Sequence, residues 1–409
     1  MRRRLLGQDP DGVRRALRAR STARTRRVLG GLKGGALKAG QLLSTVEALF
    51  PQDPEDSWRA ALTALQDDAG ALPFCEVEPV LHDELGPQWR QLFSSFDEQA
   101  TAAASLGQVH QATWAADGRA VAVKVQYPGV REALIADLRT ISAVSRLAAL
   151  VARGLTLPPL LAELRTRLVE ELDYRHEGSA QERFRLGFGG DVEVPRVVQA
   201  TSRVLVSTWL GGTPLAQVAR SGSQSERDGA ASAYQLFLVS GPERVGLLHT
   251  DPHPGNFRVL DDGRLGVMDF GSTLALAGGM PETFGGLLRA LLGREPGQVE
   301  QALRAAGYLR GVVDVTKLVG WMAPFSEPAR HERFRFSRDW LRSEFGRVDD
   351  PRDPDFAVAL QLDVPAEHLF TQRVWLGMVG VLCQLEAEVA VGPVLRRWLP
   401  GFADAGERS

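Results

Sequence analysis

Residues 249–271 read HTDPHPGNFRVLDDGRLGVMDFG, and no other part of the chain constrains the architecture as strongly. Asp251 precedes Asn256 by five residues, and Asn256 precedes Asp269 by thirteen. The pair Asp262–Gly263 lies between two short apolar runs and predicts a hairpin turn. Such a hairpin would bring Asp269 back beside Asn256. The stretch therefore predicts a cluster of oxygen-bearing side chains around one tight loop.

The chemistry suited to such a cluster is phosphoryl transfer. Divalent metal ions neutralise the charge on the phosphate oxygens in the transition state, and magnesium prefers oxygen ligands. Asn256 and Asp269 are the candidate metal ligands, and Asp251 is the candidate catalytic residue beside the nucleophile. The two intervals are those of a protein-kinase catalytic loop followed by Asp-Phe-Gly. The spacing thus predicts a site for ATP (or ADP) and Mg²⁺.

Two imidazoles, His249 and His253, flank Asp251 and allow two interpretations. A His-x-x-x-His pair on one helix can bind zinc. Pro252 and Pro254 disfavour that helix, because proline breaks helical hydrogen bonding. The interpretation that the residues favour is that the imidazoles brace the loop.

The run AVAVKVQ, residues 120–126, follows a second turn pair, Asp117–Gly118, and carries Lys124. Its alternating pattern predicts a strand, and its sequence is similar to the V-A-I-K strand that anchors phosphates in kinases. A buried lysine without an acidic partner would be strongly destabilising. The candidate partners lie in EELDYRHE, residues 170–177, and are Glu171, Asp173 and Glu177.

The segment expected to cover the phosphates has alanine where a typical kinase has glycine. It comprises Ala102, Ala103, Ala104 and Ser105. Alanine restricts the backbone more than glycine does, which predicts a stiffer loop over the nucleotide. The linker between the two predicted lobes lies near residues 207–212. Thr208 and Trp209 are the candidate adenine contacts there, through their backbone.

Length and composition fit a two-lobed α+β enzyme. The chain has 409 residues, of which 44% are hydrophobic and 24% charged, which excludes disordered, collagen-like and coiled-coil classes. A net charge of −2 disfavours nucleic acid as a partner, and two cysteines exclude a disulfide scaffold. The predicted order is a basic tail (1–28), a helical extension (29–98), a small β-sheet N-lobe (99–209) and a larger helical C-lobe (210–409).

The first 28 residues contain ten arginines and two aspartates, a local excess of +8. They form either a solvated tail or a patch that docks on anionic lipid. Nucleic-acid binding is disfavoured because no aromatic residues lie among the arginines. The longest apolar run, near Val374–Leu385, is shorter than the roughly 20 residues that span a bilayer. No integral membrane segment is therefore predicted.

Several motifs together resemble the UbiB/ADCK/AarF family of atypical kinases: AAASLGQVH, VAVKVQYPGV, ELDYRHE, HTDPHPGNF and MDFG. Residues 38–41, KAGQ, are similar to the KxGQ motif of that family. The resemblance covers residues 29–272 and implies a protein-kinase-like two-lobed fold. It implies catalytic roles for Lys124, Glu177 and Asp251, metal-binding roles for Asn256 and Asp269, and regulatory roles for Lys38, Gln41, Glu171 and Asp173.

In this family the KxGQ insert folds over the cleft, so Lys38 would contact Glu171 and Asp173 and close the site to bulky substrates. The resemblance implies an ATP-dependent phosphotransferase or ATPase that supports isoprenoid quinone (ubiquinone-type) biosynthesis or lipid homeostasis. The implied partners are ATP and a lipid or isoprenoid quinone precursor. The sequence predicts a cytoplasmic location, with peripheral docking at the inner face of the membrane through the arginine tail as a hypothesis.

One alternative function stays open at this point. The KxGQ insert and the alanine loop favour slow chemistry, which fits a nucleotide-regulated, pseudokinase-like binding module for lipid or biosynthetic enzymes. The complete set of metal and phosphate residues favours the enzyme. The sequence therefore predicts the enzyme and leaves the binding module as its competitor.

Overall fold

The computed structural model of the chain describes residues 71–104, 106–136, 170–348, 358, 361–363 and 365–403. The predicted basic tail, the KxGQ residues Lys38 and Gln41, most of the predicted helical extension, and Ser105 lie outside these residues. The architecture below concerns the described residues.

A small antiparallel sheet dominates the first part of the structure. Its strands follow the order β1-β3-β4-β7-β6, and β2 also pairs with β3. The Asp117–Gly118 hairpin between β3 and β4 is present, with Gly118 at φ 71°. The elements in chain order are α1 (Phe74–Leu85), β1 (Phe93–Phe96), β2 (Ala102–Ala104), β3 (Gly107–Trp114), β4 (Ala120–Gln126), α2 (Tyr174–Gly187), β5 (Val192–Glu193), β6 (Val197–Ala200) and β7 (Val204–Thr208).

The alternation along β4 explains how this sheet aims its lysine. Val121, Val123 and Val125 are fully buried and pack with α1 and β7 in one apolar cluster. Successive side chains of a strand point to opposite faces, so Lys124 faces away from that cluster. It therefore points to the side of the sheet on which α2 supplies its carboxylate.

The first strand differs from the sequence expectation. Residues 93–96, FSSF, lie within the predicted helical extension, yet they form β1 and pair with β3. Phe93 and Phe96 pack edge-on against each other and against Trp89. A four-residue strand with two central serines has too little apolar alternation to be recognised, and pairing with β3 and the aromatic cluster fix it in the sheet.

The second part of the structure is mainly helical and contains short strand pairs. A four-stranded sheet follows the order β5-β11-β10-β8, and β9 pairs with β12. The elements are β8 (Thr213–Pro214), α3 (Leu215–Ser221), α4 (Gln224–Val245), β9 (Leu247–His249), β10 (Phe257–Val259), β11 (Leu265–Val267), β12 (Thr273–Ala275), α5 (Glu282–Gly293), α6 (Pro296–Ala305), α7 (Val315–Ser326), β13 (Phe334–Arg335), α8 (Arg338–Val348), α9 (Leu369–Leu385), β14 (Glu388–Val389) and α10 (Val391–Trp398).

The predicted hairpin at Asp262–Gly263 joins β10 to β11, with Phe257 opposite Val267. Gly263 has φ 83°, a left-handed conformation that glycine adopts at no steric cost. Around this hairpin α4 and α9 form one large apolar core with Phe237, Phe257 and Leu382. The catalytic-loop sequence is thus held between a hairpin and two buried helices. Within the described residues, no helix combines the length and apolarity that a membrane crossing requires.

Candidate functional site

The loop between β9 and β10 brings Asp251 and Asn256 together. The side-chain amide of Asn256 donates to Asp251 Oδ2 at 2.8 Å and also approaches the Asp251 carbonyl oxygen at 3.3 Å. Since the side-chain nitrogen of Asn256 donates to Asp251, the side-chain oxygen of Asn256, Oδ1, is the atom that could bind a cation. The loop backbone is fixed by prolines at 252 and 254 and by a short 3-10 turn, Pro254–Asn256.

The hairpin returns the chain to the same place at Asp269. Met268 N donates to Asn256 O at 3.0 Å, so Asn256 lies directly beside the residue that precedes Asp269. Asp269 Oδ1 accepts from Gly271 N at 2.9 Å, and its side chain is 42% exposed. A Cβ at Gly271 would lie 3.2 Å from Asp269 and 3.3 Å from Glu177, so glycine leaves room for both carboxylates.

His249 braces this arrangement, as the sequence favoured. Its Nε2 donates to the carbonyl oxygen of Asp269 at 2.6 Å, since a backbone oxygen can only accept. The ring is 1% exposed and lies among Phe237, Phe257 and Phe270. Burial lowers the pKa of His249, which favours the neutral imidazole. This hydrogen bond is one of several that tie the catalytic loop to the Asp-Phe-Gly segment.

A zinc role for the imidazoles finds no support. His253 Nδ1 accepts from Gly255 N at 3.1 Å within its own turn. In the part of the chain that the structure describes, no group of three or more His, Cys, Asp or Glu residues is arranged to hold a metal ion.

Lys124 on β4 meets Glu177 on α2. Lys124 Nζ lies 2.7 Å and 2.9 Å from the two carboxylate oxygens of Glu177 and 3.3 Å from Asp269 Oδ2. The Glu177 side chain is 4% exposed and that of Lys124 is 17% exposed. The Tyr174 ring lies beneath the ammonium, with its centroid 5.1 Å from Nζ. Glu177, one of the three carboxylates that the sequence offered to Lys124, is thus in direct contact with it.

Burial and charge act in opposite directions on this pair. Burial raises the pKa of Glu177 to about 7, against the lowering effect of Lys124. Burial alone would lower the pKa of Lys124, but the charges of Asp269 and Glu177 outweigh it and raise that pKa well above its ordinary value. Both Glu177 oxygens accept from the ammonium, so we take the ion pair as the state at neutral pH.

The other two carboxylates of this segment have different surroundings, although the charge of Glu171 also acts to raise the pKa of Glu177. Asp173 caps the N-terminus of α2, where its Oδ1 accepts from Arg175 N at 3.0 Å. The Arg175 guanidinium also contacts it at 2.7 Å, and this hydrogen bond is the main cause of a lowered pKa of Asp173. Glu171 precedes the helix and is half-buried. The predicted contact of both with Lys38 involves a residue outside the described ones.

The alanine segment forms β2 and runs antiparallel to β3, with Ala103 opposite Gln108 and Ala104 opposite Gly107. Ala102 and Ala103 are exposed at the sheet edge. Gly107 closes the turn, and a Cβ there would overlap the carbonyl oxygen of Val125. The alanine segment is therefore held close to the strand that carries Lys124.

The linker residues are largely engaged in the sheet. Thr208 N donates to Arg196 O and Trp209 N donates to Ala120 O, each at 2.9 Å. The Thr208 hydroxyl accepts from Arg196 N at 2.9 Å. An adenine contact through a backbone N–H must therefore come from a later linker residue, and Thr208 and Trp209 can offer carbonyl oxygens.

Sequence reasoning missed two residues that support the catalytic loop. The hydroxyl of Tyr234, in α4, donates to Pro252 O at 2.6 Å and is buried. Arg373, in α9, has its Nη2 3.4 Å from Asp251 Oδ1. Arg373 is 122 residues away from Asp251 in the chain. It lies in a region without a motif, so no local pattern could have pointed to it.

Similar proteins place this geometry in a family. A family model described as the ABC1 atypical kinase-like domain matches residues 64–302. The mitochondrial atypical kinase COQ8 of Saccharomyces cerevisiae is 32% identical over 290 residues, which cover 69% of this chain and 56% of that protein. The chloroplastic protein ACTIVITY OF BC1 COMPLEX KINASE 1 of Arabidopsis thaliana is 31% identical over 329 residues, 77% of this chain and 46% of that protein.

The chain spans about half the length of these curated relatives. Among solved structures, that of Rv3197 in complex with erythromycin, from Mycobacterium tuberculosis, superimposes with a TM-score of 0.71 at 36% identity. The match covers 97% of this chain and 100% of that one. The predicted α+β, protein-kinase-like fold and the resemblance to UbiB/ADCK/AarF proteins are thereby confirmed, and the chain belongs to the ABC1 family of atypical kinases.

Proposed function

We propose that the chain binds Mg-ATP in the cleft between the small sheet and the catalytic loop. It then hydrolyses the nucleotide or transfers its terminal phosphoryl group to a small acceptor. The observation that supports this proposal is the meeting of the two lobes at Lys124. Its ammonium contacts Glu177 at 2.7 Å and Asp269 at 3.3 Å, beside the linked pair Asp251 and Asn256.

The charged and polar residues of the site have different proposed roles. Lys124, held by Glu177, offers an ammonium to the nucleotide phosphates. Asp251 accepts the proton of the attacking hydroxyl or water, and Asn256 fixes its carboxylate through the 2.8 Å hydrogen bond. The carboxylate of Asp269, 42% exposed, and the side-chain carbonyl oxygen of Asn256 are hard donors that fit Mg²⁺. The ion, when bound, neutralises charge on the phosphate oxygens.

The proposed acceptor class is a lipid-like or phenolic precursor of an isoprenoid quinone. This part rests on family membership, because relatives at 30–32% identity include several mitochondrial COQ8 atypical kinases. The alternative is a binding module, which would bind the nucleotide without hydrolysing it or transferring its phosphoryl group.

The test uses the full-length protein. ATP affinity is measured by calorimetry and ADP release by a coupled assay, in Mg²⁺ and in EDTA, with and without a prenylated phenol. We expect saturable ATP binding and Mg²⁺-dependent turnover that the phenol stimulates. Binding without turnover would favour the binding module, and the absence of any nucleotide binding would contradict the proposal altogether.

The arginine-rich first 28 residues support a second part of the proposal, peripheral docking on an anionic membrane surface. Clustered basic residues gain about 1 kcal/mol each near such a surface. Flotation with phosphatidylglycerol vesicles would compare the full chain with a variant that lacks residues 1–28. We expect flotation of the full chain only, with loss at high salt. Equal flotation of both would exclude the tail as the docking element.

A further inference from the structure

The catalytic loop contains no lysine or arginine of its own. Between His249 and Phe257 the sequence has an aspartate and an asparagine but neither lysine nor arginine. Within this loop, the side-chain amide of Asn256 donates to one oxygen of the Asp251 carboxylate, Oδ2. Its second oxygen, Oδ1, points to another part of the chain.

That second oxygen faces Arg373, in the first half of α9. The guanidinium Nη2 lies 3.4 Å from Asp251 Oδ1, and the side chains of Arg373 and Asp251 are 18% and 26% exposed. A partly buried guanidinium forms a directional fork of donors, unlike the point charge of an ammonium. Both oxygens of the Asp251 carboxylate therefore have a partner, the amide of Asn256 at Oδ2 and the guanidinium of Arg373 at Oδ1.

The helix that carries Arg373 is fitted closely to the loop. Gly377 lies one helical turn after Arg373 on the same face. A Cβ at Gly377 would overlap the ring of Pro252, the residue that follows Asp251. Tyr234 of α4 donates to Pro252 O at 2.6 Å. Two helices thus fix the loop, and glycine at 377 permits the approach that brings Arg373 into range.

We propose that Arg373 is a positioning residue for Asp251. It holds Oδ1 so that the carboxylate keeps the orientation needed to accept a proton from the attacking hydroxyl. The inference rests on the proposed Mg-ATP turnover. It adds a residue that lies beyond the segment 64–302 matched by the family model, and it makes α9 part of the active site.

The experiment measures kcat and KM for ATP in full-length Arg373→Ala and Arg373→Lys. Misplacing a catalytic group by about 1 Å costs roughly 100-fold in rate, so we expect Arg373→Ala to lose about 100-fold in kcat with KM for ATP changed less than about threefold. Arg373→Lys should recover part of the loss. Added methylguanidinium should partly restore Arg373→Ala, an effect that a merely structural role would not produce.

A second test variant and two controls make the outcome decisive. Arg397→Gln removes a more exposed ion pair, in which Arg397 of α10 lies 2.9 Å from Glu243 of α4, and should keep wild-type kcat. Gly377→Ala should lower kcat because it pushes α9 away from Pro252. Gly380→Ala, on the same helix with open space at its Cβ, should not. The glycine pair gives a reading even if Arg373→Ala fails to fold.

The possible failures are distinguishable. A wild type that turns over ATP, with Arg373→Ala and Gly377→Ala as active as their controls, would overturn the role of Arg373 and leave the proposed function standing. A wild type without nucleotide turnover would overturn both.

Discussion

Asp269→Asn is expected to lower Mg²⁺-dependent ATP turnover by about 1,000-fold, because a metal ligand loses its charge where phosphate charge must be neutralised. Asparagine keeps an oxygen that can accept from Gly271 N, a bond of 2.9 Å in the wild type. The local backbone should therefore be preserved. Steady-state ADP release over a magnesium titration measures the effect, and the residual activity should need more Mg²⁺.

The matched control is Asp262→Asn, the same exchange seven residues earlier at the tip of the hairpin. Asp262 is 51% exposed and pairs with Arg264 at 2.7 Å, away from the cleft. This variant should keep wild-type turnover. If Asp269→Asn and Asp262→Asn hydrolyse ATP equally well, Asp269 is not a metal ligand of the reaction.

Lys124→Met is expected to destabilise the protein by about 3–5 kcal/mol at pH 8, because removal of one partner leaves a buried charge uncompensated. The stranded group is Glu177, whose side chain is 4% exposed and which has Asp269 nearby. In the double variant Lys124→Met/Glu177→Gln no such charge remains, so it should be more stable than Lys124→Met alone. Urea unfolding measures all the free energies.

The pH dependence of Lys124→Met has a defined sign. Burial already raises the pKa of Glu177 to about 7 from 4.5 with the lysine present, and removal of the lysine raises it further. A carboxyl group whose pKa is higher in the folded than in the unfolded protein stabilises the fold while it is protonated. This stabilisation is complete below the pKa of the unfolded state and is lost as the pH rises through the pKa of the folded state. The unfolding free energy of Lys124→Met should therefore fall above about pH 4.5, by up to about 1.4 kcal/mol per pH unit.

The double variant should lack that slope, since its residue 177 does not titrate. As a control, Arg304→Met breaks an exposed pair with Glu300 at 2.7 Å and should cost less than about 1 kcal/mol at any pH. A Lys124→Met protein as stable as the wild type at pH 8 would show that Glu177 is not held as a carboxylate by Lys124.

The strands and turns around the cleft could be predicted because their signals are local. Asp117–Gly118 and Asp262–Gly263 mark hairpins by residue type alone, and both turns are present. Alternation in AVAVKVQ fixes which face of β4 carries Lys124. The intervals between Asp251, Asn256 and Asp269 imply proximity once the hairpin is granted.

The remainder depends on contacts that no local pattern encodes. The choice of Glu177 over Asp173 follows from the start of α2, which Asp173 itself caps. The strands β9 and β12 have three residues each and are defined only by pairing with each other. Arg373 reaches Asp251 because two distant helices pack against one loop, a property of the tertiary fold.

The close packing of Pro252 against Gly377 has a practical consequence for the design of shorter fragments. A fragment that ends at residue 302, where the family match ends, would lack Gly377, against which Pro252 packs, and Arg373, one helical turn before it. Such a fragment would keep every recognised motif and still lack one side of the proposed active site. Truncated forms of this protein should therefore retain the chain at least through Leu385, the end of that helix.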